Sequence, residues 1–198
     1  GWNPGNDEEI FSMDELIQLF DLEKVHKAGA RFDPEKIKWF NHQYLQKKSD
    51  AELAAAFQKE LIAKGIEVAL TKVEKIVSLI KERATFVADF WELSKFFFEA
   101  PKKYDEKAVK KQWKENTPTI VREVIEVLQN TSDFNSVALE EAVKNYMETK
   151  QLGFGQVMPP LRLALVGELK GPHVFDIIEL IGKEETLCRL ETILSFIK

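Results

Sequence analysis

Arg162 lies in the stretch of this sequence most heavily punctuated by glycine and proline, G-F-G-Q-V-M-P-P-L-R-L-A-L-V-G-E-L-K-G-P-H-V-F from Gly153 to Phe175. Pro159 and Pro160 each lack an amide donor and bias the residue before them away from helix. Gly171-Pro172 signals a turn. The expectation is a rigid, non-helical elbow with free backbone N–H and C=O groups on either side of one guanidinium, a surface able to read an unpaired base. On these residues alone a plainer reading stays open, in which the arginine of an ordinary interhelical loop pairs with a nearby glutamate. A second chemical feature is a run of lysines, Lys102, Lys103, Lys107, Lys110, Lys111 and Lys114, interrupted only by Asp105 and Glu106. It can form a positive face.

Other chemistries lack their residues. The sequence has no phosphate-cradling glycine loop, no G-x-S-x-G and no cysteine pair. Glu23 and His26 make a lone E-x-x-H, whereas a metal site in a helical bundle needs two such motifs and further carboxylates. His42 and His173 have no acid three positions before them. Glu140-Glu141 and Glu184-Glu185 read as solvated helix faces. The single cysteine, Cys188, rules out a disulfide or zinc framework and reads as a buried, inert thiol in a reducing compartment. No catalytic residue and no metal ligand is expected.

The 198 residues carry a net charge of −5, which does not at first suggest a nucleic-acid partner. Residues 1–30 hold seven carboxylates against two lysines, the whole of that deficit, and the rest of the chain is balanced. No apolar run approaches the roughly 20 residues of a membrane span, and no signal-peptide pattern opens the chain. The opening G-W-N-P-G-N-D-E-E-I-F lacks an initiator Met and reads as the start of a fragment.

The elements that must position these residues read as helices throughout. Ser12 and Glu15 form a capping box ahead of Leu16, Ile17, Leu19 and Phe20, which are expected to point inward. Asp33-Pro34 caps the next helix, with Ile37, Trp39, Phe40 and Tyr44 on its apolar side and Asn41 and Gln43 unassigned. Ser49 caps a helix closed by Gly65. Leu70, Val73, Val77 and Ile80 form a helical stripe ending in Lys81-Glu82-Arg83. The aromatic-dense segment from Phe86 to Phe98 must be mostly core. Pro101 and the lysines look like a hinge into a second unit of further helices. No strand-like alternation persists and no internal repeat is apparent. The fold class is all-α: two consecutive helical-bundle subdomains after a short helical piece.

These residues also resemble a known family. L-F-D-L-E-K-V-H-K-A-G-A-R-F-D-P-E-K-I-K-W-F-N-H-Q-Y-L, Leu19 to Leu45, is similar to the stem-contact region of bacterial glutamyl-tRNA synthetases, the class I glutamate–tRNA ligases. P-P-L-R-L-A-L-V-G, Pro159 to Gly167, resembles their Q-P-L-R-x-A-L-T-G, with Pro159 in place of Gln and Val166 in place of Thr. The resemblance extends through G-P-H-V-F-D-I-I-E-L-I-G-K-E-E-T-L-C-R-L-E. It covers nearly the whole chain and implies the C-terminal, anticodon-binding half of such an enzyme. The divisions would be residues 1–47 as the end of the stem-contact domain, 48–104 as a first helical anticodon-binding subdomain and 105–198 as a second.

The family's His-x-Gly-His-like and Lys-Met-Ser-Lys-like signatures are absent here, so the resemblance implies an ATP- and Mg²⁺-using enzyme whose catalytic half lies outside this chain. The chain alone would hold no cofactor and be inactive. By resemblance Arg83 reads the third anticodon base and Arg162 another base, while Gly171, Pro172 and Val174 pack against the first two. Gly171 stands where Thr is usual, leaving only backbone contact. A helix-terminal cation opposing the macrodipole is the other reading of Arg83. Lys102, Lys103, Lys107 and Lys110 are the candidates for phosphate contact, on charge alone. The implied partner is tRNA(Glu), with neither DNA nor membrane, for a cytoplasmic monomer. The rival class is an all-α protein-interaction scaffold without RNA binding.

Overall fold

The computed structural model describes residues 2–29 and 31–197, and among them it is all helical. Eleven α-helices follow one another: α1 Met13–Leu19, α2 Pro34–Lys47, α3 Asp50–Ala63, α4 Leu70–Ile80, α5 Asp89–Ser94, α6 Glu106–Gln112, α7 Thr117–Asn130, α8 Ser136–Thr149, α9 Phe154–Val166, α10 Val174–Ile181 and α11 Lys183–Phe196. Single 3₁₀ turns at Lys81–Arg83 and Lys95–Phe97 extend α4 and α5.

The starts of these helices follow local chemistry. Ser12 and Ser49 each accept from the amide three residues on, while Glu15 and Glu52 reach back to the cap amides. Asp33 Oδ1 accepts from the Glu35 and Lys36 amides at 3.0 and 3.2 Å. Such caps satisfy donors that the helix itself cannot.

Helix α4 buries Val73, Ile76, Val77 and Ile80 against α3. Helices α6, α7, α10 and α11 pack around α9. The 3₁₀ turn Lys95–Phe97 meets α10 and links the two groups of helices. The buried apolar side chains form one continuous cluster from Leu45 to Ile193. Phe90, Phe96 and Phe97 lie within it, so the aromatic segment is mostly core.

Three expectations are corrected. The segment around Arg162 is not a non-helical elbow: both prolines lie inside α9. Each removes one helix bond, at a cost of about 3 kcal/mol in an unsupported helix. The carbonyls they leave unpaired belong to Gly155 and Gln156, both exposed, where water can serve them. Against that cost the helix buries Val157, Met158, Pro160, Leu161, Leu163, Ala164 and Leu165. At about 1.5–3 kcal/mol for each large apolar side chain, burial wins.

Helix α1 does not turn its apolar face inward: Ile17 is 68% and Phe20 54% exposed, Leu19 is exposed, and only Leu16 is half-buried. Ile37, Trp39 and Tyr44 of α2 are likewise partly open. The segment is anchored instead through Phe11, whose carbonyl accepts from the Tyr44 hydroxyl at 2.7 Å. Cys188 is exposed rather than buried. The inward face of α11 is taken by Thr186, Arg189, Leu190 and Ile193.

Candidate nucleic-acid interface

Arg83 ends the turn that follows α4, and its side chain is exposed. Carbonyls of this turn and of the two residues after it take donors from α2, Lys81 O in addition to the Ala84 amide. Gln46 Nε2 donates to Lys81 O at 2.8 Å, His42 Nδ1 to Ala84 O at 2.8 Å, and Asn41 Nδ2 to Thr85 O. A carbonyl only accepts, so the proton of His42 sits on Nδ1. Asp89 Oδ2 then accepts from the Thr85 and Phe86 amides at 2.9 and 2.8 Å. Arg83 therefore projects from a backbone tied on both sides. Asn41, His42 and Gln46 were not legible as parts of a site, because their partners lie 44, 42 and 35 positions away.

Arg162 rises from the middle of α9 and is half-buried. Its Nη1 donates to Pro172 O at 2.6 Å. Burial, and after it the positive charge of Arg83, hold its pKa below the usual arginine value. A guanidinium remains charged at neutral pH even so. Both arginines line one open cleft of about 400 Å³, together with Phe96, Lys170, Gly171 and the carboxylates Glu92 and Glu168.

Gly171 adopts φ +133°, and a Cβ there would come within 3.1 Å of Arg162 Nη1. Only glycine suits both the backbone and the space. The remaining two positions are both buried. Pro172 is buried, with its carbonyl already serving Arg162. The Val174 side chain opens α10 and lies in the core, 3% exposed.

A second cleft of about 350 Å³ adjoins the first, sharing Phe96, Glu92 and Glu168, with Lys95, Lys102 and Lys103 on its wall. Lys107 and Lys110 stand exposed on α6. Lys170, on the rim of the first cleft, is a cation that charge counting missed, since it lies outside the lysine run. No ion pair or hydrogen bond among the described residues uses the Arg83 side chain. The arrangement offers a ligand bearing paired acceptors one fixed, half-buried guanidinium, Arg162, and one exposed and unpaired among the described residues, Arg83. Among the described residues no group of three or more His, Cys, Asp or Glu is gathered to hold a metal ion, and no helix is long and apolar enough to cross a membrane.

A helical module of this kind, with two neighbouring guanidinia on an open cleft, has known counterparts. The chain belongs to the family described as the anticodon binding domain, which matches residues 35–194. Glutamate–tRNA ligases are among the proteins it is similar to. The chain is 56% identical over 98% of its length to the glutamate–tRNA ligase of Flavobacterium johnsoniae, and 52% identical over 96% to that of Porphyromonas gingivalis. A crystal structure of a glutamate tRNA ligase from Elizabethkingia meningosepticum, in complex with its amino acid, superposes with a TM-score of 0.96 at 50% identity over the whole chain. The chain spans 39% of the length of the Flavobacterium johnsoniae and Elizabethkingia meningosepticum proteins and 38% of the Porphyromonas gingivalis one.

Proposed function

We propose that this chain is the tRNA-binding, anticodon-reading part of a glutamate–tRNA ligase, specific for tRNA(Glu) and working within a cytoplasmic, monomeric enzyme. One observation carries the reading: Arg83 and Arg162, from different helix groups, bring like charges together on a single cleft. An arrangement that repels itself suits a ligand that supplies acceptors to both.

The third anticodon base of glutamate tRNAs is C, and that of glutamine tRNAs is G. Cytosine offers O2 and N3 to the Arg83 guanidinium. Guanine turns N1–H and N2–H₂ donors toward the same donors, leaving desolvated groups unpaired at a cost of about 1–3 kcal/mol. Arg162, steadied by Pro172 O, takes a neighbouring base, and the backbone at Gly171 allows close approach. Lys102, Lys103, Lys107 and Lys110 hold phosphates. Residues 1–47, 48–104 and 105–198 act as stem-contact end, first and second subdomain.

In the whole enzyme ATP with Mg²⁺ supplies the activation of glutamate ahead of its transfer to tRNA. The residues of this chain bear on the reaction by placing the tRNA.

The test is binding of anticodon stem-loops differing only in that third base. The unmutated chain should favour C over G by about 5- to 150-fold, and Arg83→Gln should bring the two close to parity. Equal binding of both RNAs by the unmutated chain defeats the assignment. Binding that ignores salt would favour a protein-interaction scaffold instead.

A further inference from the structure

Arg189 is buried, 2% exposed, yet none of the recognition described above uses it. From α11 its Nη1 donates to Phe96 O and to Leu165 O, each at 2.7 Å, and its Nε to Glu185 Oε1 at 2.6 Å. Removing a guanidinium from water is costly, and a well-packed apolar side chain often serves stability as well or better. What the charge provides here is direction. Leu165 lies in the last turn of α9, where a carbonyl has no partner within the helix. Phe96 lies in the 3₁₀ turn that closes the first group of helices.

We infer that Arg189 is a positioning residue for base recognition, one guanidinium that fixes the distance between the two walls of the Arg83–Arg162 cleft. Each carbonyl it holds belongs to one wall. The Phe96 ring lines the cleft, with its Cζ 3.8 Å from where a Cβ on Gly171 would stand. Leu165 follows Arg162 on α9 by three residues, nearly one turn, so tethering it sets how far Arg162 reaches. The tethered backbone groups are 93 and 24 positions from Arg189, so no local preference could hold this spacing. Base discrimination needs donors held within about 0.5 Å of their productive places. A shift of one wall would leave a charged cleft that still attracts RNA but no longer aligns donors with cytosine O2 and N3.

The inference rests on the anticodon reading above, and a single experiment separates the two. Dissociation constants for the C and G stem-loops are measured at several salt concentrations for the unmutated chain, Arg189→Met and Glu185→Ala, with thermal melts of each. Arg189→Met should bring the C-over-G ratio most of the way down to unity, by up to about tenfold, with the salt slope unchanged. Simple loss of folded protein scales both affinities by one factor and leaves the ratio untouched. The ratio therefore reports positioning and not stability. A folded Arg189→Met that keeps the full ratio overturns the inference and leaves the anticodon reading standing. If Arg189→Met does not fold, Glu185→Ala decides. It removes only the half-buried third partner, and a ratio reduced about threefold sustains the inference while an unchanged one ends it. An unmutated chain without base preference overturns both.

Discussion

At the residue scale the Tyr104 hydroxyl, like the Trp2 indole N–H, is buried and makes no hydrogen bond among the described residues. Burial raises its pKa, partly opposed by the positive charge of Arg189. A buried, unpaired hydroxyl keeps its desolvation cost with nothing in return. Tyr104→Phe, which retains the edge-on packing with Phe196 at 5.0 Å, should therefore stabilise the chain by about 1 kcal/mol in a denaturant titration. A drop in stability would show that the hydroxyl has a partner. Arg83 shows how legible a residue can be. Its identity and helix-end placement were readable from the stripe of α4. Its meeting with Arg162 was not, because periodicity orders residues along one element and says nothing about which elements touch.

Elements carry two further expectations. Glu15 and Glu52, each bonded to its cap serine, have pKa values below the usual 4.5. A depressed folded value means the contribution is present above pH 4.5 and fades as pH falls through the folded value. Helicity followed by circular dichroism should thus decline on acidification below about pH 4.5. Replacing both acids with Gln should flatten that decline. Gly167, the C-cap of α9, adopts φ +85°, and an added Cβ would stand 2.7 Å from Lys103 O. Its own carbonyl accepts from the Asp105 amide at 2.8 Å, joining the end of α9 to the start of α6. Gly167→Ala should lower stability by about 2 kcal/mol or more, from backbone strain together with that close approach. A melting temperature within a degree of the parent would contradict it. The caps of α1, α2 and α3 were legible because their signals lie within four residues. The helical state of Pro159 and Pro160 was not, since proline argues against helix locally and only distant burial overrides it.

For the molecule as a whole, net charge is a poor guide to the partner. The acidic excess is confined to residues 1–30, while Lys102, Lys103 and Lys170 stand around adjoining clefts that also carry Glu92, Glu99 and Glu168, with Lys95 paired to Glu92. Logarithmic RNA affinity should fall linearly with logarithmic salt concentration. Replacing Lys102 and Lys103 together by Ala should flatten that slope by about 0.7–0.9 for each phosphate no longer neutralised. An unchanged slope would place those lysines away from the backbone. What the order of residues determined by itself was what short-range physics decides: helices everywhere, their caps and punctuation, an aromatic segment bound for the core, and which side chains carry donors. Meetings between remote positions belonged to tertiary structure alone. These are the paired arginines, the α2 side chains that finish the Arg83 turn, the helix that swallows two prolines, the open face of α1 and the buried Arg189. Each depends on which surfaces meet, and that is settled by packing the whole chain at once, where burial of many side chains outweighs the preference of any one.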